Sequence, residues 1–273
     1  MPAIFAHYQF GAQTLPRFAA PVRRIIGAHR RLFDLGLQGP DFYFFDQFLL
    51  LRGKRYAQIG SALHHDACAT LLLALEGDGG RRPESAALAY LFGLIGHFAL
   101  DSTAHPQIER LVTALNYDHH RLETEFDRYL LERGGVEPRR FALGDVIRST
   151  YRDRLLVGQR YEAAGLGDAR DIAALFADFR RIKNRTTLAS DRAYAVVQGA
   201  LGAVGGRAIG GIFMGPKDAL SDVTNPQMDA LFSEGQQRYE HLIENYWQHV
   251  FDDAALDGYF ARNFETEPEE GAE

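Results

Sequence analysis

GLIGHFALDSTAH (residues 93–105) sets His97, Asp101 and His105 at four-residue steps inside an otherwise apolar stretch. The residues leading into it, ALAYLFGLIG (87–96), are aliphatic, aromatic or glycine, the composition of a deeply buried helix. A carboxylate in such surroundings is costly unless it is paired, and otherwise takes up a proton. No Lys or Arg lies between Arg82 and Arg110. Asp101 therefore needs a cation from elsewhere, either a distant side chain or a metal ion.

One helical turn separates His97 from Asp101, so the two project from one face about 6 Å apart, as a helix presents two ligands to one metal. Pro106 disfavours helical backbone at His105 and removes an amide donor. His105 is accordingly expected where the helix bends or ends, free to serve a different ion. A second pair follows in NYDHHRLETEFDRYL (116–130), where His119 and Glu123 are four apart, as are Glu123 and Asp127. Upstream stand His64 and His65 in GSALHHDACATLLLAL (60–75), Asp41 at the head of the aromatic run DFYFFDQFLL (41–50), and His7 in an apolar stretch. His29, His241 and His249 are read as ordinary structural or surface residues.

Nitrogen and oxygen ligands without cysteine suit a catalytic zinc site better than a structural one. Di-iron bundles also mix His and carboxylate, but use Glu-x-x-His at three-residue spacing, where this chain has His first and a four-residue step. Ions a few ångströms apart clamp a phosphoryl group and activate water, so phosphodiester hydrolysis is the first reaction class to consider.

The rest of the chain sets the frame. Apolar residues recur at helical intervals in 15–28, 55–76, 84–104, 109–132, 169–188 and 223–263, with Gly- and Pro-containing breaks between them and no alternating strand pattern. The expectation is one all-α, multi-helix domain over 1–263 and an acidic, frayed tail over 264–273. The segment 196–215 is too rich in glycine for a stable helix, and no GK[ST] follows to make it a phosphate loop. The stretch 193–215 is a poor membrane span because of its glycines and Arg207. A net charge of −6 over 273 residues argues against general nucleic-acid binding. The short basic clusters Arg23, Arg24, Arg30, Arg31 and Arg180, Arg181, Lys183, Arg185 are read as solvated helix faces. A single cysteine, Cys68, excludes an intrachain disulfide and a thiolate-rich zinc site. The N-terminal residues show no basic region followed by an apolar run, so the expected location is the cytoplasm.

The ordered series His7, GPD (39–41), LHH (63–65), HFALD (97–101), HP (105–106) and HHRLE (119–123) resembles the bacterial zinc-dependent phospholipase C family, over roughly residues 1–130. That family shares its helical fold with single-strand-specific zinc nucleases. The resemblance implies a cleft with two or three zinc ions. One would be held by Asp41, His64, His97 and Asp101, and a second by His105, His119 and Glu123. A third, bridged through Asp101, would take His7 and the backbone amine and carbonyl of the first residue, Met1 or, once methionine is removed, Pro2. Asp41 would also serve as general base or water-orienting group, and His64 is preferred to His65 because the family's ligand is the first of the pair. The implied activity is a phosphodiesterase in which zinc-activated water attacks the phosphorus of a phospholipid-type substrate. Peripheral membrane contact stays open, as does an apolar approach lined by Phe42, Tyr43, Phe44 and Phe45, which as core residues would play no such part. Two rivals remain: a nuclease or nucleotidase on the same metals, and a non-catalytic, metal-stabilised helical domain binding lipid or a partner.

Overall fold

The computed structural model describes residues 4–49, 55–77, 82–203 and 210–265. Eleven α-helices are bounded within them: α1 (Ile4–Thr14), α2 (Ala20–Ala28), α3 (Arg30–Gly36), α4 (Arg55–His65), α5 (Cys68–Glu76), α6 (Ser85–Leu115), α7 (His119–Arg133), α8 (Tyr151–Ala163), α9 (Ala169–Thr186), α10 (Asp191–Ala203) and α11 (Ser221–Asp252). Among the described residues there is no strand, only an isolated bridge between Thr187 and Met214. The fold is all-α.

The centre of the molecule is α6, 31 residues long and buried on every side from Ala87 to Ser102. It is long and apolar enough to cross a membrane, yet 89% of its apolar window is buried inside the protein, which makes it a core helix. Two glycines let a neighbour approach closely. A Cβ on Gly93 would stand 2.2 Å from the Phe33 carbonyl of α3, and one on Gly36 would stand 2.1 Å from the Tyr90 carbonyl of α6. Another side of α6 is covered by α11, whose Tyr239 hydroxyl donates to the Phe92 carbonyl at 2.7 Å. Phe10 of α1 stacks on that tyrosine, their centroids 5.5 Å apart.

Several boundaries differ from those expected. Pro106 neither ends nor closes the helix: α6 continues to Leu115 because Ala104, His105, Ile108 and Leu111 remain buried on both sides of the lost amide bond. The break comes at Asn116, which takes the left-handed conformation (φ 48°). Asp118 then caps α7 by accepting from the Arg121 amide at 2.8 Å. The expected helix 55–76 is two helices, parted at Asp66 and Ala67, and that over 223–263 stops at Asp252, before the left-handed Asp253. Four helices lie outside the expected stretches: α1, α3, α10 and α8, the last of which starts with a Thr150/Asp153 capping box. Despite its glycines, the chain over 196–203 is helical, as the end of α10; residues 204–209 lie outside the described ones. Phe264, expected in a frayed tail, has no exposed surface.

The α3–α6 crossing is directly testable. Gly93→Ala should cost about 1–3 kcal/mol through overpacking against a carbonyl that cannot move aside. Urea unfolding should show this as a lower midpoint. Gly27→Ala, where an added Cβ meets nothing within 4 Å, should leave the midpoint unchanged or raised. Equal midpoints for both variants would contradict the crossing.

Candidate metal centre

Four helices, α1, α4, α6 and α7, and one 3₁₀ segment bring the candidate ligands together around the middle of α6. His97 and Asp101 sit on its inner face, and His97 Nε2 lies 3.1 Å from Asp101 Oδ2. His7 comes from α1, with its Nε2 3.2 Å from Asp101 Oδ1. Asp41 opens the 3₁₀ run Asp41–Leu49, and its Oδ1 is 3.1 Å from His64 Nε2 and 3.7 Å from His97 Nε2. One helical turn further along α6, His105 Nε2 is 3.5 Å from Glu123 Oε1 of α7, and His119 Nε2 is 3.4 Å from the same oxygen. The Asn116–Asp118 reversal brings α7 back across His105 and so makes this second group.

Three sets of donor atoms result, each mutually within 4.8 Å: His7, His97 and Asp101; Asp41, His64 and His97; His105, His119 and Glu123. All eight residues are buried except His119, which is half-buried. His64 has no exposed surface, whereas His65 is exposed and faces Glu265. The first two sets share His97, whose one inward nitrogen can bind only one ion, so those five residues form one continuous cluster. Met1 and Pro2, expected to complete a third site, lie outside the described residues.

The donors fit a divalent cation on their own chemistry. Buried polar atoms are normally hydrogen-bonded. Here His97 Nε2, Asp101 Oδ2 and His105 Nε2 have no hydrogen-bond partner, although they approach other donors and acceptors closely. The distances are short and the alignment is wrong for a hydrogen bond, as expected when the atoms converge on a point between them. The outer ring nitrogens of His64, His105 and His119 are engaged, whereas those of His7 and His97 have no hydrogen-bond partner. His64 Nδ1 lies 2.7 Å from the Gly60 carbonyl, His105 Nδ1 2.8 Å from the Phe264 carbonyl and His119 Nδ1 2.7 Å from Glu109. Donation from Nδ1 leaves the Nε2 lone pair pointing inward, the arrangement that orients metal-ligating histidines. Electrostatics agree. Burial pushes the Asp101 carboxyl upward, but His97, His105 and His7 outweigh it and hold the group well below the ordinary carboxylate range. Burial likewise opposes ionisation of Glu123, and positive charge around it, that of His119 included, together with hydrogen bonding by His105 and His119, holds it well below the ordinary carboxylate range.

Four residues outside the three donor sets support them; of these only Asp127, four residues after Glu123, stood out by spacing. Gly39 has φ +48°, and a Cβ there would sit 2.1 Å from the His97 ring. Asp127, buried, accepts from the Phe5 and Ala6 amides at 3.2 and 2.7 Å, pinning the start of α1 and with it His7. Burial pushes its carboxyl up to about 7, against the pull of Lys183 and those two amides. Lys183, expected on a solvated face, is instead buried. Desolvation lowers its ammonium to about 8, against the charges of Asp127, Asp41 and Glu123. Phe264 lays its ring beside His64 and His97, with centroids at 5.4 and 5.7 Å. Of the aromatic run, Phe42, Tyr43 and Phe45 belong to the core, while half-buried Phe44 lies against His64 at 5.1 Å.

A family model described as zinc-dependent phospholipase C matches residues 6–165, a span that contains all eight candidate ligands. No curated protein and no solved structure matches the chain.

Gly39→Ala should weaken zinc binding about 10–100-fold by displacing the His97 ring, while the helical circular dichroism survives. Zinc content after dialysis against a graded chelator measures this. Undiminished zinc retention would show that His97 does not depend on the close approach of Gly39.

Proposed function

The chain belongs to the zinc-dependent phospholipase C family, and we propose that it is a phosphodiesterase that hydrolyses a phospholipid-type phosphodiester with two or three zinc ions. The observation that carries this reading is the buried convergence of unpartnered His and carboxylate atoms within the family-matched span. Asp41, His64, His97 and Asp101 would hold one ion, and His105, His119 and Glu123 a second. His7 would serve a third, shared through Asp101, which offers Oδ1 to His7 and Oδ2 to His97. When bound, zinc supplies Lewis acidity that lowers the pKa of a water and offsets charge on phosphoryl oxygens.

The chain's own groups do the rest. His64 and His97 favour the ionised form of the Asp41 carboxyl against its burial, so it can accept a proton near neutral pH. In this reading Asp41 orients the attacking water and takes its proton as oxygen attacks phosphorus. The alcohol leaves with a proton returned from the site, and a lipid substrate would release diacylglycerol. Phe44 offers an apolar surface beside His64 for the substrate's approach.

Two measurements test the reading. Protein purified without chelator should carry two or three zinc ions per chain by elemental analysis; zero or one would overturn the cluster. A chromogenic phosphocholine ester should be hydrolysed in a chelator-sensitive, zinc-restorable way, and Asp101→Asn should lower kcat/KM by about a hundredfold or more while helicity persists. Hydrolysis of single-stranded DNA alone would sink the lipid reading in favour of a nuclease.

A further inference from the structure

Between α8 and α9 lies a surface cavity of about 360 Å³ lined by Arg154, Ala177, Arg180, Arg181, Asn184 and Arg185. Four of these six residues are arginines, and none is acidic. The nearby carboxylates leave positive charge in excess. Asp145 accepts from Arg180 at 2.7 Å but is shared with Arg148 at 2.9 Å, and Asp178 accepts from Arg181 at 2.5 Å. Arg154 turns Nε and one terminal nitrogen to the Ala173 and Ser149 carbonyls, at 3.0 and 2.9 Å, which fixes its guanidinium without neutralising it. Arg180 Nε is buried without a hydrogen-bond partner, and exposed Arg185 has no hydrogen bond or ion pair among the described residues.

Such crowding is unfavourable without an anion. Burial, and then the neighbouring Arg180, disfavour the charged form of Arg154. Guanidinium forks match the oxygens of a phosphoryl group, and the cavity presents several from two helices at once. The cavity is separate from the metal centre. Arg181 and Arg185 flank Lys183 in sequence, and each lies about 200° around α9 from its buried side chain. We propose that this cavity is a second anion site, which binds the dianionic phosphate of a phosphomonoester, free or as a lipid headgroup.

The test uses full-length, zinc-loaded protein in two arms. One is equilibrium dialysis with labelled inorganic phosphate. The other is co-sedimentation with phosphatidylcholine vesicles, with and without phosphatidic acid. Arg185→Gln should weaken binding about fivefold, and Arg185→Glu more. Arg181→Gln serves as a second variant. Arg24→Glu, at an exposed position on α2 that does not line the cavity, carries the same charge change as a control and should retain binding. The component lost in Arg185→Glu should survive zinc chelation, which separates it from phosphate at the metal centre and makes the result independent of the zinc reading. Loss in both arms supports a site indifferent to the carrier. Loss in the vesicle arm alone assigns the site to a lipid headgroup, and loss in the dialysis arm alone to a soluble phosphoester. Equal effects of Arg185→Glu and Arg24→Glu, or no effect of either Arg185 variant, overturn the proposal.

Discussion

A carboxylate held at 3% exposure in the apolar middle of the longest buried helix is the constraint from which the site follows. Burying Asp101 is tolerable only if positive charge converges on it. The helix cannot supply a Lys or Arg nearby, so the compensation is three histidines: His97 and His105 from α6 itself and His7 from α1. Histidine can neutralise a carboxylate by taking a proton or by sharing a divalent cation with it. The first option crowds charged imidazoles together, whereas a shared cation does not, and it also accounts for the inward nitrogens of His97 and His105 having no hydrogen bonds.

Meeting that requirement ties distant parts of the chain together. Asp127 of α7 holds the first turn of α1 through two amides some 120 residues away in sequence, separations of 122 and 121. At the other end of the chain, the Phe264 amide donates to the His64 carbonyl at 3.1 Å, and its own carbonyl accepts from His105. The centre is thus closed by the N-terminal helix on one side and the last described turn on the other. A cation bound there links α1, α4, α6 and α7, so part of its binding free energy becomes folding free energy.

The candidate ligands that converge here were legible because their spacing is local: His and acid residues four apart on helices announce themselves, and the family resemblance ordered the rest. What supports them is not local. Gly39 is required by the ring of a residue 58 positions later, and Asp127 looks like one more acid on a polar helix until α1 is set against it. Phe264 stands among acidic residues that suggest fraying, and only tertiary contact reveals its role. Pro106, expected at a bend or an end of the helix, does not end it, for the same reason: its local preference is real, but burial of α6 before and after it outweighs one missing hydrogen bond. Lys183, read with its arginine neighbours as a solvated face, shows that a charge run along a helix contains more than one face.

That last point bears on what the protein's charge means. A net charge of −6 treats every carboxylate as surface, yet Asp41, Asp101, Glu123 and Asp127 are all buried. Two or three bound divalent cations would move the formal total to about −2 or zero, since a metal's own charge belongs in the count. The interior thus holds part of the chain's acidity, and the arginine-rich outer face of α9 meets solvent as a cationic surface. The overall acidity is therefore a weak guide to partners, because an approaching anion meets the local charge of one face and not the sum over interior and surface.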